Sequence, residues 1–291
     1  MRIGVFGLGT IGSIWARHWR ADGHEVRVWN RTPKPEFPGF SSDPETVARD
    51  ADLIAIVVSD AKAVEKVLAT IQKKLNKRTV VAQHSTIGFD ETRRFAKWVE
   101  QKKAQFLDMP FSGSRGESEK RQTLFFVGEK ENVLERVEPV YHRISQGIFR
   151  VGDIGQGTAL KLALNLFAAN LYQGLAEGYA LAEKAGVPGE IFFSALAQHS
   201  CRSALTDAKR EKILEKEYTS NFSLQNMHKD LHLIMKFAKK ISQPIPQTQT
   251  LIKSYEKAKK MGLSESDFSS VIETLRPARI AAQSAAGRSK K

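Results

Sequence analysis

Gly7-Leu8-Gly9-Thr10-Ile11-Gly12 follows directly on an apolar run, Arg2 to Phe6, and opens an amphipathic stretch that leads to a second run, Glu25 to Trp29. Strand, glycine loop, helix and strand in this order predict a dinucleotide-binding βαβ unit. The first glycine makes the tight turn, and the second lets backbone N–H groups approach a pyrophosphate. The third packs the helix on the strand, with the phosphates at the positive end of the helix dipole. Leu8, Thr10 and Ile11 complete the loop. A glycine turn with only a structural role would leave that spacing unexplained.

The second strand decides which cofactor the loop would take. About 20 residues past the loop, an NAD site carries Asp or Glu for the ribose hydroxyls. Here stands Asn30-Arg31-Thr32. A carboxylate there would repel the extra phosphate of NADP, whereas neutral Asn30 and Thr32 with the Arg31 guanidinium can bind it through charge-assisted hydrogen bonds. The expected cofactor is therefore NADP(H). The plainer alternative is that Arg31 merely starts a solvated loop, since Pro33 and Pro35 follow.

Farther out, the alternation continues to about residue 150. Strands are expected at Arg2–Phe6, Glu25–Trp29, Leu53–Val58, Thr79–Gln83, Gln105–Asp108, Leu124–Val127 and Ile148–Val151, with helices at Ala61–Ile71 and Thr92–Lys102. This pattern predicts a mainly parallel, doubly wound sheet. After Gly157 the texture changes to an Ala- and Leu-rich stretch, Thr158 to Ala185, read as one long helix stopped by Gly186 and Pro188. Further helices are expected at Glu190–Gln198, Ala204–Lys216, Gln225–Lys240, Pro246–Met261 and Glu265–Leu275. The fold class is α/β, an N-terminal Rossmann-like domain (1–157) followed by an all-helical domain (158–276) and a basic, disordered tail (277–291).

Bulk properties agree with a globular chain of two domains. Its 291 residues are 41% hydrophobic and 26% charged, ordinary for a folded soluble protein. Cys201 is the single cysteine, which rules out an intrachain disulfide and gives no sign of an oxidising compartment. With no signal peptide in view and no run of about 18 apolar residues, a cytoplasmic location and no membrane partner are expected. The net charge of +13 raises the question of nucleic acid, but four of those charges fall in the tail and the rest mix with acids on helical faces. Such faces are usually solvated, so no nucleic-acid partner is expected.

Two further segments carry chemistry. Asp108-Met109-Pro110-Phe111-Ser112-Gly113-Ser114 stands at the end of a predicted strand, where ligands collect in open α/β sheets. The Ser112 hydroxyl and the N–H groups that follow can hold a carboxylate, although Ser and Gly are also common loop residues. Gly155-Gln156-Gly157-Thr158-Ala159-Leu160-Lys161-Leu162-Ala163-Leu164-Asn165 opens the long helix. Lys161 and Asn165, four apart, share a face, and burial of an ammonium at the domain junction suits an acid–base catalyst. Without the glycine loop, the favoured reading of Lys161 would be a lysine snorkelling its ammonium to solvent with an asparagine beside it.

Together these three segments resemble the β-hydroxyacid dehydrogenase family, relatives of 3-hydroxyisobutyrate dehydrogenase, tartronate semialdehyde reductase and the glyoxylate and succinic semialdehyde reductases, over roughly residues 1 to 275. The family's later Lys-Asp motif stands here as Lys229-Asp230-Leu231, and its closing stretch as Gly262 through Phe268. The resemblance implies Lys161 as general acid of reduction, Asn165 as its helper, and Ser112, Gly113 and Ser114 as the substrate site. It also implies that Lys229 reaches substrate and cofactor, that Thr86 and Ser59 line the cofactor's path, and that the chain forms a dimer or tetramer. The substrate implied is a small hydroxy acid or aldehyde acid, and no metal is expected.

The departures fall where substrate is chosen. Ser114 replaces a second glycine, Phe111 a smaller aliphatic residue and His84 a frequent aspartate; Arg115 follows where small residues are common, and His199-Ser200-Cys201-Arg202 replaces a glycine-rich stretch. They suggest an alternative, a reductase of imines or of carbonyls without a carboxylate, against which Lys161 speaks. A third reading is a non-catalytic member that binds nucleic acid or protein.

Overall fold

A computed structural model describes residues 1–276; the tail expected to be disordered, 277–291, lies outside the described residues. In the first part of the chain β1 (Arg2–Phe6), α1 (Thr10–Ala21), β2 (Glu25–Trp29), α2 (Pro44–Ala48), β3 (Leu53–Ile56), α3 (Ala61–Ile71), β4 (Val80–Gln83), α4 (Phe89–Gln101) and β5 (Gln105–Asp108) alternate. Then come β6 (Phe111–Ser112), α5 (Arg115–Glu119), β7 (Thr123–Gly128), α6 (Glu138–His142) and β8 (Ser145–Gly152). Helices follow: α7 (Gln156–Lys184), α8 (Gly189–Leu196), α9 (Ala204–Glu215), α10 (Leu224–Lys240) and α11 (Pro246–Lys260).

The sheet runs β2-β1-β3-β4-β5-β7, with β6 and β8 both on β7. Strands β1 to β5 are parallel; β7 meets β5 antiparallel at Asp108 and Gly128, and β8 lies parallel to β7. From β1 the chain goes one way to β2 and the other way to β3. The crevice beyond the C-terminal ends of β1 and β3 is thus the topological switch point, where open α/β sheets bind ligands.

Both faces of the sheet are covered, which is why the inner strand β3 reads as a continuous apolar run, whereas the edge strand β2, Glu25-Val26-Arg27-Val28-Trp29, alternates. On one face α1 buries Ile14, Trp15, Ala16 and Trp19, spaced for a single helical stripe, against Val5, Val28, Phe125 and Tyr141. On the other, Val64, Val67, Leu68 and Ile71 of α3 and Phe95, Ala96 and Val99 of α4 pack with Phe6, Ile54, Ile56 and Val81. Asp60 caps α3, accepting from the Ala63 N–H at 2.9 Å.

The described chain divides into two compact units. The first holds Met1–Leu166 together with Asp230–Pro244; the second holds Phe167–Lys229 and the chain from Ile245. The first unit is a Rossmann-like domain, and the part of the chain after it is helical. Within the second unit the Lys209 ammonium donates to Asp267 at 2.6 Å, both groups being buried, and Arg276 bridges Glu183 and Glu273. The helix expected at Glu265–Leu275 is instead a 3₁₀ segment, Phe268–Thr274. Asp267 and Ser269 account for the change, because the carboxylate accepts from both the N–H and the hydroxyl of Ser269 and so competes with helical pairing. Among the described residues, no helix is long and apolar enough to cross a membrane.

Candidate active site

The glycine loop has the geometry its sequence predicts. Gly7 has φ +109°, and a Cβ on it would stand 2.1 Å from the Val57 carbonyl oxygen; a Cβ on Gly12 would stand 2.0 Å from the Gly7 oxygen. Both glycines are therefore needed for close backbone approach. At Gly9 a Cβ would meet nothing within 4 Å, so space opens over the start of α1. Gly9 caps this 12-residue helix without a side-chain hydrogen bond, leaving the positive end of the helix to whatever enters that space.

Asn30 turns inward to brace the loop, its Oδ1 accepting from the Leu8 N–H at 2.9 Å and its Nδ2 donating to the Thr32 carbonyl at 2.8 Å. Lys34, unremarked in the sequence, donates to the Leu8 carbonyl at 2.8 Å. Arg31 and Thr32 are exposed beside them. Two cationic side chains and no carboxylate thus occupy residues 30–34, directly after β2.

The ends of β3 and β4 are fastened to each other. The Ser85 hydroxyl accepts from the Val58 N–H at 2.9 Å, and the buried Gln83 carboxamide clamps the backbone of Ser85 on both sides. This fixes the turn that leads to half-buried Thr86. Ser59 is exposed, its hydroxyl donating to Asp60 at 2.8 Å.

At the end of β5 the buried Asp108 carboxylate receives the Gly155 N–H at 2.9 Å, the Thr158 N–H at 2.9 Å and the Thr158 hydroxyl at 2.6 Å. Burial raises this carboxyl to about 6, with the Thr158 and backbone donors pulling the other way. Asp108 thereby ties the first turn of α7 to the strand from which the Phe111–Ser114 turn departs. Ser112 and Gly113 are half-buried in that turn, and Gly113 has φ +141°. The Ser114 side chain is engaged locally: it and its N–H both donate to Glu117, a capping box that starts α5.

One turn beyond Thr158 stands half-buried Lys161, and a turn later buried Asn165 donates to Asp230 at 2.7 Å. The Asp230 carboxylate, itself buried, fixes which way the Asn165 amide points. Lys229, the preceding residue of α10, belongs to the second unit. Sequence reasoning missed Lys34 and the anchoring roles of Asp108 and Asp230; the first was legible as a cation near the loop, while the others act through partners distant in sequence.

This is the arrangement of a nucleotide-dependent oxidoreductase: a glycine cradle at the switch point, a polar turn at the next strand end, and a helix tied to that turn. Residues 2–152 match the family described as the NAD binding domain of 6-phosphogluconate dehydrogenase, and residues 155–275 match the NAD-binding domain of NADP-dependent 3-hydroxyisobutyrate dehydrogenase. The chain belongs to this family of NAD(P)-dependent β-hydroxyacid dehydrogenases and reductases. It is 27% identical to glyoxylate/succinic semialdehyde reductase 2, chloroplastic, of Arabidopsis thaliana over 95% of this chain and 80% of the relative. It is also 25% identical to the cytokine-like nuclear factor N-PAC of Mus musculus over 93% of this chain and 50% of that one. Among solved structures, a 3-hydroxyisobutyrate dehydrogenase from Mycobacterium tuberculosis shares the fold, with TM-score 0.86 at 23% identity, covering 94% of this chain and 99% of that one.

Proposed function

We propose that this protein uses NADPH to reduce the carbonyl of a small aldehyde acid, of the semialdehyde or glyoxylate type, with residues 1–157 holding the cofactor and Lys161 as general acid. The observation that carries the reading is the tie through Asp108, which joins the helix of Lys161 and Asn165 to the strand end that leads to Ser112. The open space at Gly9 and the uncapped start of α1 fit a pyrophosphate, and Arg31 with Lys34 fits a 2′-phosphate. When bound, the nicotinamide supplies the hydride.

The protein's own part is binding and proton transfer. The Ser112 hydroxyl and the N–H groups of Gly113 and Ser114 hold the substrate carboxylate, while Thr86 and Ser59 line the cofactor's path. Negative charge develops on the carbonyl oxygen as its carbon is reduced. The Lys161 ammonium stabilises that charge and transfers its proton to the oxygen, giving the hydroxyl. Asn165, aimed by Asp230, orients the same oxygen, and Lys229 contributes from α10.

Lys161→Ala should lower kcat about 10²- to 10⁴-fold, the range for a lost general acid, and leave NADPH affinity within a few-fold by fluorescence titration. A variant keeping more than about a tenth of parental kcat would remove Lys161 from this role. Arg31→Ala should weaken NADPH binding roughly 10- to 100-fold and barely change NADH binding, since a charged hydrogen bond contributes about 1.5–3 kcal/mol. Equal losses for both would count against NADP preference.

A second reading, a non-catalytic binding protein, draws on the net charge of +13 and the similarity to a nuclear factor. NADPH turnover on a panel of short aldehyde and keto acids favours the first reading. Salt-sensitive binding to random duplex DNA, without turnover, favours the second.

A further inference from the structure

We propose that His84 and Tyr141 form a positioning pair that fixes the Met109–Gly113 turn and so sets how tightly Ser112 holds the substrate. This rests on the reading of Ser112 as the carboxylate contact.

His84 directly follows β4 and is fully buried, its Nδ1 lying 2.7 Å from the Met109 carbonyl oxygen and its Nε2 2.8 Å from the Tyr141 hydroxyl. A carbonyl only accepts, so Nδ1 carries the proton. Nε2 is then the acceptor and Tyr141 the donor. Burial lowers the imidazole to about 3 and raises the Tyr141 phenol, so neither group changes its role near neutral pH.

The Met109 carbonyl is the last backbone acceptor before Pro110, which has no N–H with which to anchor the turn. The Met109 N–H donates to the Gln83 carbonyl at 3.0 Å, and past it the turn is held from its carbonyls: Met109 by His84, and Pro110 by the Phe126 N–H at 2.9 Å. Beyond them Phe111 and Ser112 pair with Phe125 and Leu124 of β7. Trp15 of α1 packs edgewise on His84 at 5.1 Å and on Phe111 at 4.9 Å between ring centroids. One buried cluster thus joins the helix behind the glycine loop to the turn that carries Ser112. An aliphatic core would fill the same space without supplying a donor to Met109.

The test uses Tyr141→Phe, which removes one hydroxyl and keeps the ring, with His84→Ala and His84→Asn beside it. Succinic semialdehyde is compared with butanal, which lacks the carboxylate. Tyr141→Phe should raise KM for succinic semialdehyde about 3- to 10-fold, the size of a net hydrogen bond, with kcat and NADPH affinity within about two-fold. His84→Ala should raise KM further and His84→Asn, which keeps an amide donor for Met109, should recover part of the loss. Both effects should vanish for butanal and in a Ser112→Ala background. Should Ser112→Ala itself leave KM unchanged, the carboxylate reading fails and this proposal with it. If Ser112→Ala raises KM but Tyr141→Phe does not, or if both aldehydes are affected equally, the positioning pair alone is overturned.

Discussion

Asp108 in the first unit and Asp267 in the second are both buried carboxylates that pin the start of a helical segment, and they are held in opposite ways. Asp108 is met by N–H groups and the Thr158 hydroxyl at the head of α7. Burial wins, and its carboxyl rises to about 6. Burial acts upward on Asp267 as well, but the Lys209 ammonium at 2.6 Å and the Ser269 donors outweigh it and hold this carboxyl below the ordinary range. Neutral donors can orient a buried carboxylate without offsetting its desolvation, whereas a cation can do both. The strand end near the candidate substrate turn therefore keeps an acid close to its ionisation threshold, and the helical unit does not.

The hardest break of this comparison is Lys209→Met, which strands the Asp267 charge in the interior. It should cost about 3–5 kcal/mol, read by calorimetric unfolding near pH 7. A loss below about 1 kcal/mol would mean that the cation does little for Asp267. Asp108→Asn should cost less, about 1–3 kcal/mol at pH 7, because the new amide turns an N–H towards donors that had met an oxygen.

The subtlest effect is the pH dependence of these losses. Asp108 has a raised carboxyl, so its contribution is full below 3.8 and is lost as pH rises through about 6. The gap between parent and Asp108→Asn should thus widen on acidification from pH 7 to 4, by up to about 3 kcal/mol. The depressed Asp267 contributes stability above the ordinary carboxylate range and loses it only in stronger acid. In Lys209→Met the stranded carboxyl can escape by protonation, so that gap should narrow as pH falls. Two gaps moving in the same direction would erase the distinction between the carboxylates.

What could be read in the sequence was local. The glycine loop works through contiguous backbone, so Gly7 to Gly12 announced its geometry; apolar periodicity placed α3, and an Ala- and Leu-rich texture stopped by Gly186 and Pro188 placed the long α7 closely. Partners far apart in the chain left no such trace: Asp108 bonds residues 47 and 50 positions away, and Asn165 reaches Asp230 across 65. Two expected ligand residues have local uses as well. Asn30 braces Leu8, and Ser114 closes a capping box whose Ser-x-x-Glu spacing stood in the sequence. His84 stood out only as a departure from the family's aspartate, because its partner Tyr141 lies 57 residues on.

The first unit is discontinuous, since Asp230–Pro244 belongs to it. In that returning segment Phe237 stacks on Phe89 at 4.9 Å, and Lys236 and Lys240 pair with Glu91 and Asp90 of α4. During synthesis, the nucleotide-binding half therefore stays unfinished on the ribosome until Pro244 has left the exit tunnel. A nascent chain halted at Leu166 would leave bare the flank of α4 that this segment covers.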